Sequence, residues 1–164
     1  MRERQSGRER RRAQEFETFV AGAAGRLLHT ATLLTTEPVR PPGANPRAQR
    51  LLTAALAHTY AQWEQLRGED PYDRTRRELA TRFAREVWRH KRPRGGLLGP
   101  LTPQERLVLV LRLYEGVAEE QAAALLGLPV ERVRAVCNRS VATMRGTRRP
   151  TERRGVPGRP GAVR

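Results

Sequence analysis

The chain has 164 residues, room for one medium domain or two small helical ones, and its 32 Lys and Arg against 17 Asp and Glu leave a formal charge of +15. Its single cysteine, Cys137, excludes an internal disulfide, and no apolar run approaches the roughly 18 residues of a membrane span, so a soluble cytoplasmic protein with no membrane partner is expected. His29, His58 and His90 lie too far apart for metal-ligand spacing, and no phosphate loop or nucleophile motif occurs, so the expectation is no metal, no cofactor, no catalytic residue and no enzyme.

The charge is uneven. Residues 1–12 hold six Arg and two Glu, and residues 145–164 hold seven Arg and one Glu, so these ends carry most of the excess. Neither has an apolar period, and the second is rich in Pro and Gly; residues 1–12 and 146–164 are expected as basic disordered arms. They read either as sources of unspecific phosphate attraction or as solubility tails. Every basic residue except Lys91 is arginine, whose planar fork suits phosphate and guanine edges, although GC-rich coding would also raise arginine everywhere.

From Gln14, the residues Phe16, Phe19, Val20, Ala23, Leu27, Ala31 and Leu34 recur at helical spacing and predict a first helix. Residues 35–46 hold four prolines and predict a loop. A second helix is expected from about Arg47 to Leu66, with Leu51, Leu52, Ala55, Leu56, Tyr60 and Trp63 apolar and Gly68 ending it.

A third helix is expected from Pro71 to about His90. On a wheel of 100° per residue, Tyr72, Leu79, Phe83 and Val87 fall together, and Arg74, Arg82, Arg85 and Arg89 fall opposite. That cationic stripe reads as a DNA contact or as a solvated face. Trp88, beside the arginines, reads as a base-stacking aromatic or as a rim residue of the core. Residues 92–100, RPRGGLLGP, reset the pattern and are expected to link two domains, 13–91 and 101–145.

In the second of these, Thr102, Pro103 and Glu105 form a capping box, Leu107, Val108, Val110, Leu111 and Tyr114 build an apolar face, and Gly116 closes the helix. A short helix stopped by Gly127 and a third from near Pro129 to about Met144 follow. Ala123, Gly127 and Val133 stand at relative positions 0, 4 and 10, the spacing of a helix-turn-helix, in which alanine permits close approach, glycine the turn, and valine plugs the joint. An ordinary three-helix bundle is the competing reading. The fold expected is all-α: two small helical domains on a short linker, the C-terminal one a helix-turn-helix.

On the last helix Val130, Val133, Cys137, Ser140, Val141 and Met144 are expected to face inward, Cys137 being a core residue and not a reactive thiol. Arg132, Ala135 and Arg139 point outward, flanked by Val136, Asn138 and Thr143. Arginine can bind guanine bidentately, asparagine can pair with adenine, and small apolar groups can meet the thymine methyl, so Arg132, Ala135, Val136, Asn138 and Arg139 are the expected base readers. Arg134 and Arg145, toward the side, are expected on phosphates.

The segment LTPQERLVLVLRLYEGVAEEQAAALLGLPVERVRAVCNRSVATMR resembles the C-terminal, −35-reading domain of extracytoplasmic-function sigma factors of the sigma-70 family. FETFVAGAAGRLLHTATLLT and ALAHTYAQWEQL followed by DPY resemble the same family's −10-reading domain. The resemblance implies promoter DNA and core RNA polymerase as partners, with Arg132 and Arg139 at the −35 groove. It places Trp63, the loop from Gln65 to Tyr72 and the basic helix from Arg74, with Arg82, Arg85, Trp88 and Arg89, near melted −10 DNA.

The family usually carries an acidic cluster where the second helix starts, and grips the polymerase there. Here that stretch reads RAQRLLTA, and Arg47 and Arg50 turn attraction toward a basic partner into repulsion. The linker is also shorter than is usual in the family, and Pro129 and Val136 replace a hydroxyl cap and a basic residue. Three functions follow in order: a sigma-factor-like initiation protein, a stand-alone DNA-binding regulator that has left the polymerase, and a non-DNA protein that binds an anti-sigma factor.

Overall fold

The computed structural model describes residues 2–66 and 68–147, and for residues 2–4 the backbone only. Six α-helices follow one another: α1 (Arg2–Thr35), α2 (Pro46–Ala61), α3 (Pro71–Arg85), α4 (Pro103–Leu109), α5 (Glu119–Leu126) and α6 (Val130–Thr147). Short 3-10 turns, Trp63–Gln65 and Val87–His90, follow α2 and α3, and a π turn, Val110–Tyr114, extends α4. There is no strand among the described residues. None of the described helices is long and apolar enough to cross a membrane, and none of the described His, Cys, Asp and Glu residues form a metal-holding group.

Helix α1 starts twelve residues earlier than its apolar period indicates, so residues 2–12 are helical and not a disordered arm. Arg, Glu and Gln dominate this stretch and lose little in a helix, and adding turns to a formed helix needs no new nucleus. The extension is also held from the side: the Arg12 guanidinium lies 4.3 Å from the centre of the Tyr60 ring and donates to the Tyr60 carbonyl. Residues 148–164, most of the basic tail expected from 146, lie outside the described residues, and α6 itself runs on through Gly146 to Thr147.

The loop expected at 35–46 joins α1 to α2. Glu37 within it serves α2 directly: its buried carboxylate accepts from the amides of Arg47 (3.1 Å) and Ala48 (2.8 Å), supplying the anion that a helix N-terminus favours. Helices α2 and α3 close on α1 through Leu27, Leu34, Leu52, Leu79 and Phe83, and a buried Thr59–Thr75 hydroxyl pair at 2.9 Å bridges α2 and α3. Each fully buried leucine or phenylalanine here contributes about 1.5–3 kcal/mol.

Helix α3 stops at Arg85, short of the expected His90. The Glu86 amide is shared between the carbonyls of Arg82 and Phe83, the backbone opens to φ −102°, and the next four residues tighten into a 3-10 turn. That change of pitch moves Val87, expected inward, to 36% exposed, and turns the His90 ring against Phe83 at 4.6 Å.

Residues 92–100 do more than connect. Leu98 is buried, and the amides of Arg94 and Gly96 donate to the hydroxyl and the carbonyl of Thr36 at the end of α1. One buried apolar cluster runs from Ala23 in α1 to Val136 in α6, across the segment expected as a linker.

Two buried charges sit at this junction. Arg106 of α4 is fully buried, and its guanidinium donates to the carbonyls of Leu34 (2.6 Å), His90 (2.6 Å) and Leu101 (3.2 Å). Glu115, after the π turn, accepts from the Tyr72 hydroxyl (3.0 Å to each oxygen) and the Thr30 hydroxyl, with Arg26 and Arg76 at 3.6 and 3.9 Å. Burial first, and the Glu115 carboxylate second, hold the Tyr72 phenol well above its ordinary range.

Candidate nucleic-acid interface

Helix α4 begins as its sequence dictates. Thr102 accepts from the Glu105 amide (3.3 Å), and the Glu105 carboxylate accepts from the Thr102 amide (3.0 Å). The capping bond from Thr102 is the chief reason that the Glu105 carboxyl lies below its usual range; Arg139 lowers it further. Gly127 ends α5 with φ +63°, a left-handed conformation that glycine adopts without strain, and the Leu128 amide closes the turn on the Ala123 carbonyl at 3.0 Å. Ala123 is 5% exposed and Val133 is fully buried, so the three residues spaced 0, 4 and 10 meet as a helix-turn-helix needs.

The wheel of α6 is largely reproduced. Val133 and Ser140 are buried, Val130, Cys137, Val141 and Met144 half-buried, and Arg132, Ala135, Asn138 and Arg139 exposed. Val136 is the correction: it is fully buried and reads no base, because at about 60° around the helix from Val133 it stands at the edge of the apolar arc, where the packed neighbours cover it. Thr143 is half-buried and returns its hydroxyl to the Arg139 carbonyl. Burial pushes the Cys137 thiol up, away from the thiolate that reactivity requires.

The exposed arginines differ in freedom. The Arg132 side chain has no hydrogen bond or ion pair among the described residues, its backbone amide being bonded to the Pro129 carbonyl at 3.0 Å. Arg139 bonds the capping-box Glu105 at 3.0 Å, and Arg134 bonds Glu119 of α5 at 2.7 Å, which puts Arg134 beside the helix crossing and away from the outer face.

The residues expected near −10 DNA are dispersed. Trp63 is half-buried against Phe16 and Phe19, with ring centres 5.2 and 5.6 Å away, and its indole N–H points to Glu15 at 3.4 Å. Arg74 is taken up by Gln62 and Glu69, and Arg82 by Glu78 at 2.6 Å. Arg85 is exposed, without a partner among the described residues. Trp88 is 62% exposed with the Arg89 guanidinium 4.8 Å from its ring centre, and Arg89 also pairs with Glu86 at 3.1 Å. The stripe is therefore one of paired charges around one open arginine and one open tryptophan.

Sequence reasoning missed Glu105 and Glu119 as the holders of Arg139 and Arg134. The pairs span 34 and 15 residues, beyond any helical period, and only the folded arrangement brings them together.

Comparison with known proteins agrees with this geometry. The family model for Sigma-70, region 4 matches residues 97–145. RNA polymerase sigma-E factors of Streptomyces coelicolor (29% identical over 156 residues, covering 80% of this chain and 84% of that protein), Streptomyces avermitilis (28%, 80% and 83%) and Streptomyces antibioticus (29%, 80% and 83%) are similar along most of their length. No solved structure matches the chain. The region matched by the Sigma-70, region 4 model coincides with the helix-turn-helix, and the similarity to the sigma-E factors extends across the N-terminal helices.

Proposed function

We propose that this protein is a sigma-factor-like initiation protein that recognises promoter DNA and directs core RNA polymerase to it, without catalysing a reaction of its own. The observation that carries the reading is the outer face of α6, where Arg132, Ala135, Asn138 and Arg139 stand exposed on a helix-turn-helix whose joint is closed by Ala123, Gly127 and Val133. A side chain that forks onto guanine, an amide that pairs with adenine and a methyl that meets thymine are there together, with Arg134 at the side for phosphate. Arg85, Trp88 and Arg89 form the second, −10-type contact, with Trp88 as the stacking surface and the arginines as phosphate partners.

A stand-alone regulator that has left the polymerase is not favoured, because the similar proteins, matched over 80% of this chain, are polymerase sigma factors. The charge at Arg47 and Arg50 then directs polymerase contact to surfaces other than RAQRLLTA. The test is a titration of labelled full-length protein into core RNA polymerase, followed by anisotropy, beside a duplex-DNA titration at several salt concentrations. Saturable submicromolar polymerase binding is expected, with DNA affinity falling by roughly one log unit per log of salt for each phosphate neutralised. Retained duplex binding with no polymerase binding would overturn the reading in favour of the regulator.

A further inference from the structure

We propose that the groove between the start of α2 and the end of α3 is a binding site for a phosphate group, formed by Arg47, Arg50, Arg82, Arg89 and the buried ring of His90. The groove encloses about 210 Å³. Four guanidinium groups line it against one carboxylate, Glu86, with Glu78 also holding Arg82, so the balance is cationic without any charge on His90. The α2 N-terminus contributes nothing free, since its leading amides are already taken by Glu37, and the side chains alone make the site.

His90 makes this more than a basic surface. His90 is among the residues that line the groove, it is only 5% exposed, and both ring nitrogens are buried without a hydrogen-bond partner among the described residues. Buried polar groups are nearly always satisfied, and two unpartnered nitrogens on a residue that lines a cationic groove ask for a partner from outside the protein. Burial first, and the Arg106 guanidinium next, hold the ring below its ordinary pKa and therefore neutral, with one N–H to donate. The ring is fixed for that purpose: it stacks on Phe83, and its own carbonyl is held by Arg106 at 2.6 Å.

The arginines are partly pre-ordered. Glu78 orients Arg82, Glu86 orients Arg89, and the Arg47 guanidinium reaches the Arg89 carbonyl at 3.4 Å, while Arg50 is exposed without a partner among the described residues. Convergent forks that each donate two N–H groups match a tetrahedral oxyanion of high charge, whose several oxygens can accept from more than one arginine at once. The volume admits a phosphate or pyrophosphate group. The source is either a free phosphate compound or the backbone of a nucleic acid, and the chemistry recognised is the same.

Inorganic pyrophosphate is the probe, titrated into the full chain at fixed ionic strength by calorimetry, with the His90 ring signals followed by nuclear magnetic resonance. Neither polymerase nor promoter DNA is present, so the result stands or falls apart from the initiation reading. Saturable one-site binding that moves the His90 signals is expected. Arg50→Ser, at an exposed and unpaired position, should weaken it by roughly tenfold, and Arg10→Ser on the far end of α1 should not. His90→Phe, which keeps the stack on Phe83 and removes both nitrogens, should weaken it as well. A following addition of single-stranded oligonucleotide identifies the source: displacement of pyrophosphate assigns the site to a nucleic-acid backbone, and undisturbed pyrophosphate assigns it to a free phosphate compound. Unmoved His90 signals at millimolar pyrophosphate, equal losses in the Arg50 and Arg10 variants, or displacement only by an acidic peptide would overturn the proposal.

Discussion

Arg132 and Val136 are one helical turn apart on α6 and have opposite roles. Arg132 is open and unpaired among the described residues, so Arg132→Ala should cost about 1–3 kcal/mol of discrimination between a matched and a mismatched duplex while leaving the melting temperature near its original value. Val136→Ala should do the reverse, removing about 2 kcal/mol of stability, with DNA affinity unchanged once the folded fraction is allowed for; duplex binding and urea denaturation measured on both variants separate the two effects. The outward positions were legible in the sequence because spacing alone sets a helical face. Val136 was misplaced because it stands near the edge of the apolar arc, where only the packed neighbours decide. His90 was legible as a lone histidine and not as a buried one, since its burial follows from the 3-10 turn. Its folded pKa is depressed by burial and by Arg106, with Arg47 and Arg94 adding and Glu86 opposing. The unfolded chain therefore binds more protons, and the stability that neutral His90 contributes is complete above about pH 6.5 and lost as pH falls below it. Urea midpoints compared at about pH 7.5 and about pH 5.5 should drop for the parent chain and drop less for His90→Phe.

At the scale of elements, the boundaries set by local chemistry were readable and those set by distant contacts were not. The capping box on α4, the glycine at the end of α5 and the proline loop after α1 each depend on residues within a few positions of one another, and all three stand where the sequence puts them. The start of α1 does not: its first turns carry no apolar stripe, and what holds them is Tyr60, 48 residues from Arg12. The π turn likewise has no signature in its own residues; the Glu115 amide reaches back to Val110 and the Val117 amide to Leu111, which lets Glu115 swing under Tyr72. The capping box also links stability to the proposed base reader Arg139, because Glu105 is at once the third residue of α4 and the partner of Arg139. Thr102→Ala should cost about 1 kcal/mol in urea denaturation by removing the cap. In that variant Glu105 loses its Thr102 hydroxyl partner and remains free to hold Arg139, so duplex affinity should fall less than in Arg139→Ala.

For the whole molecule, the change of pattern at RPRGGLLGP was readable in the sequence, whereas the packing across it was not, because it rests on Arg106 and Glu115, two charged residues outside the apolar period. Buried, they specify one arrangement: Arg106 joins the ends of α1, the turn after α3 and the start of α4, and Glu115 gathers Thr30, Tyr72, Arg26 and Arg76. In this arrangement the outer face of α6 stays open, so the −35-type reading proposed for it requires no rearrangement. Tyr72, from the segment that the family resemblance places near −10 DNA, is by contrast engaged by Glu115, so bringing it to DNA requires the junction to open. Arg106→Met keeps most of the apolar stem and deletes the guanidinium, leaving the carbonyls of Leu34, His90 and Leu101 inside the junction without their donor. Each buried carbonyl so orphaned costs about 1–3 kcal/mol, a loss the molecule can relieve by letting water into the junction. The expected result is a lower urea midpoint together with a larger radius of gyration in small-angle scattering, at unchanged helical content by circular dichroism. An unchanged radius with the lower midpoint would mean that the continuous apolar cluster from Ala23 to Val136, and not Arg106, keeps the helices before and after residues 92–100 together.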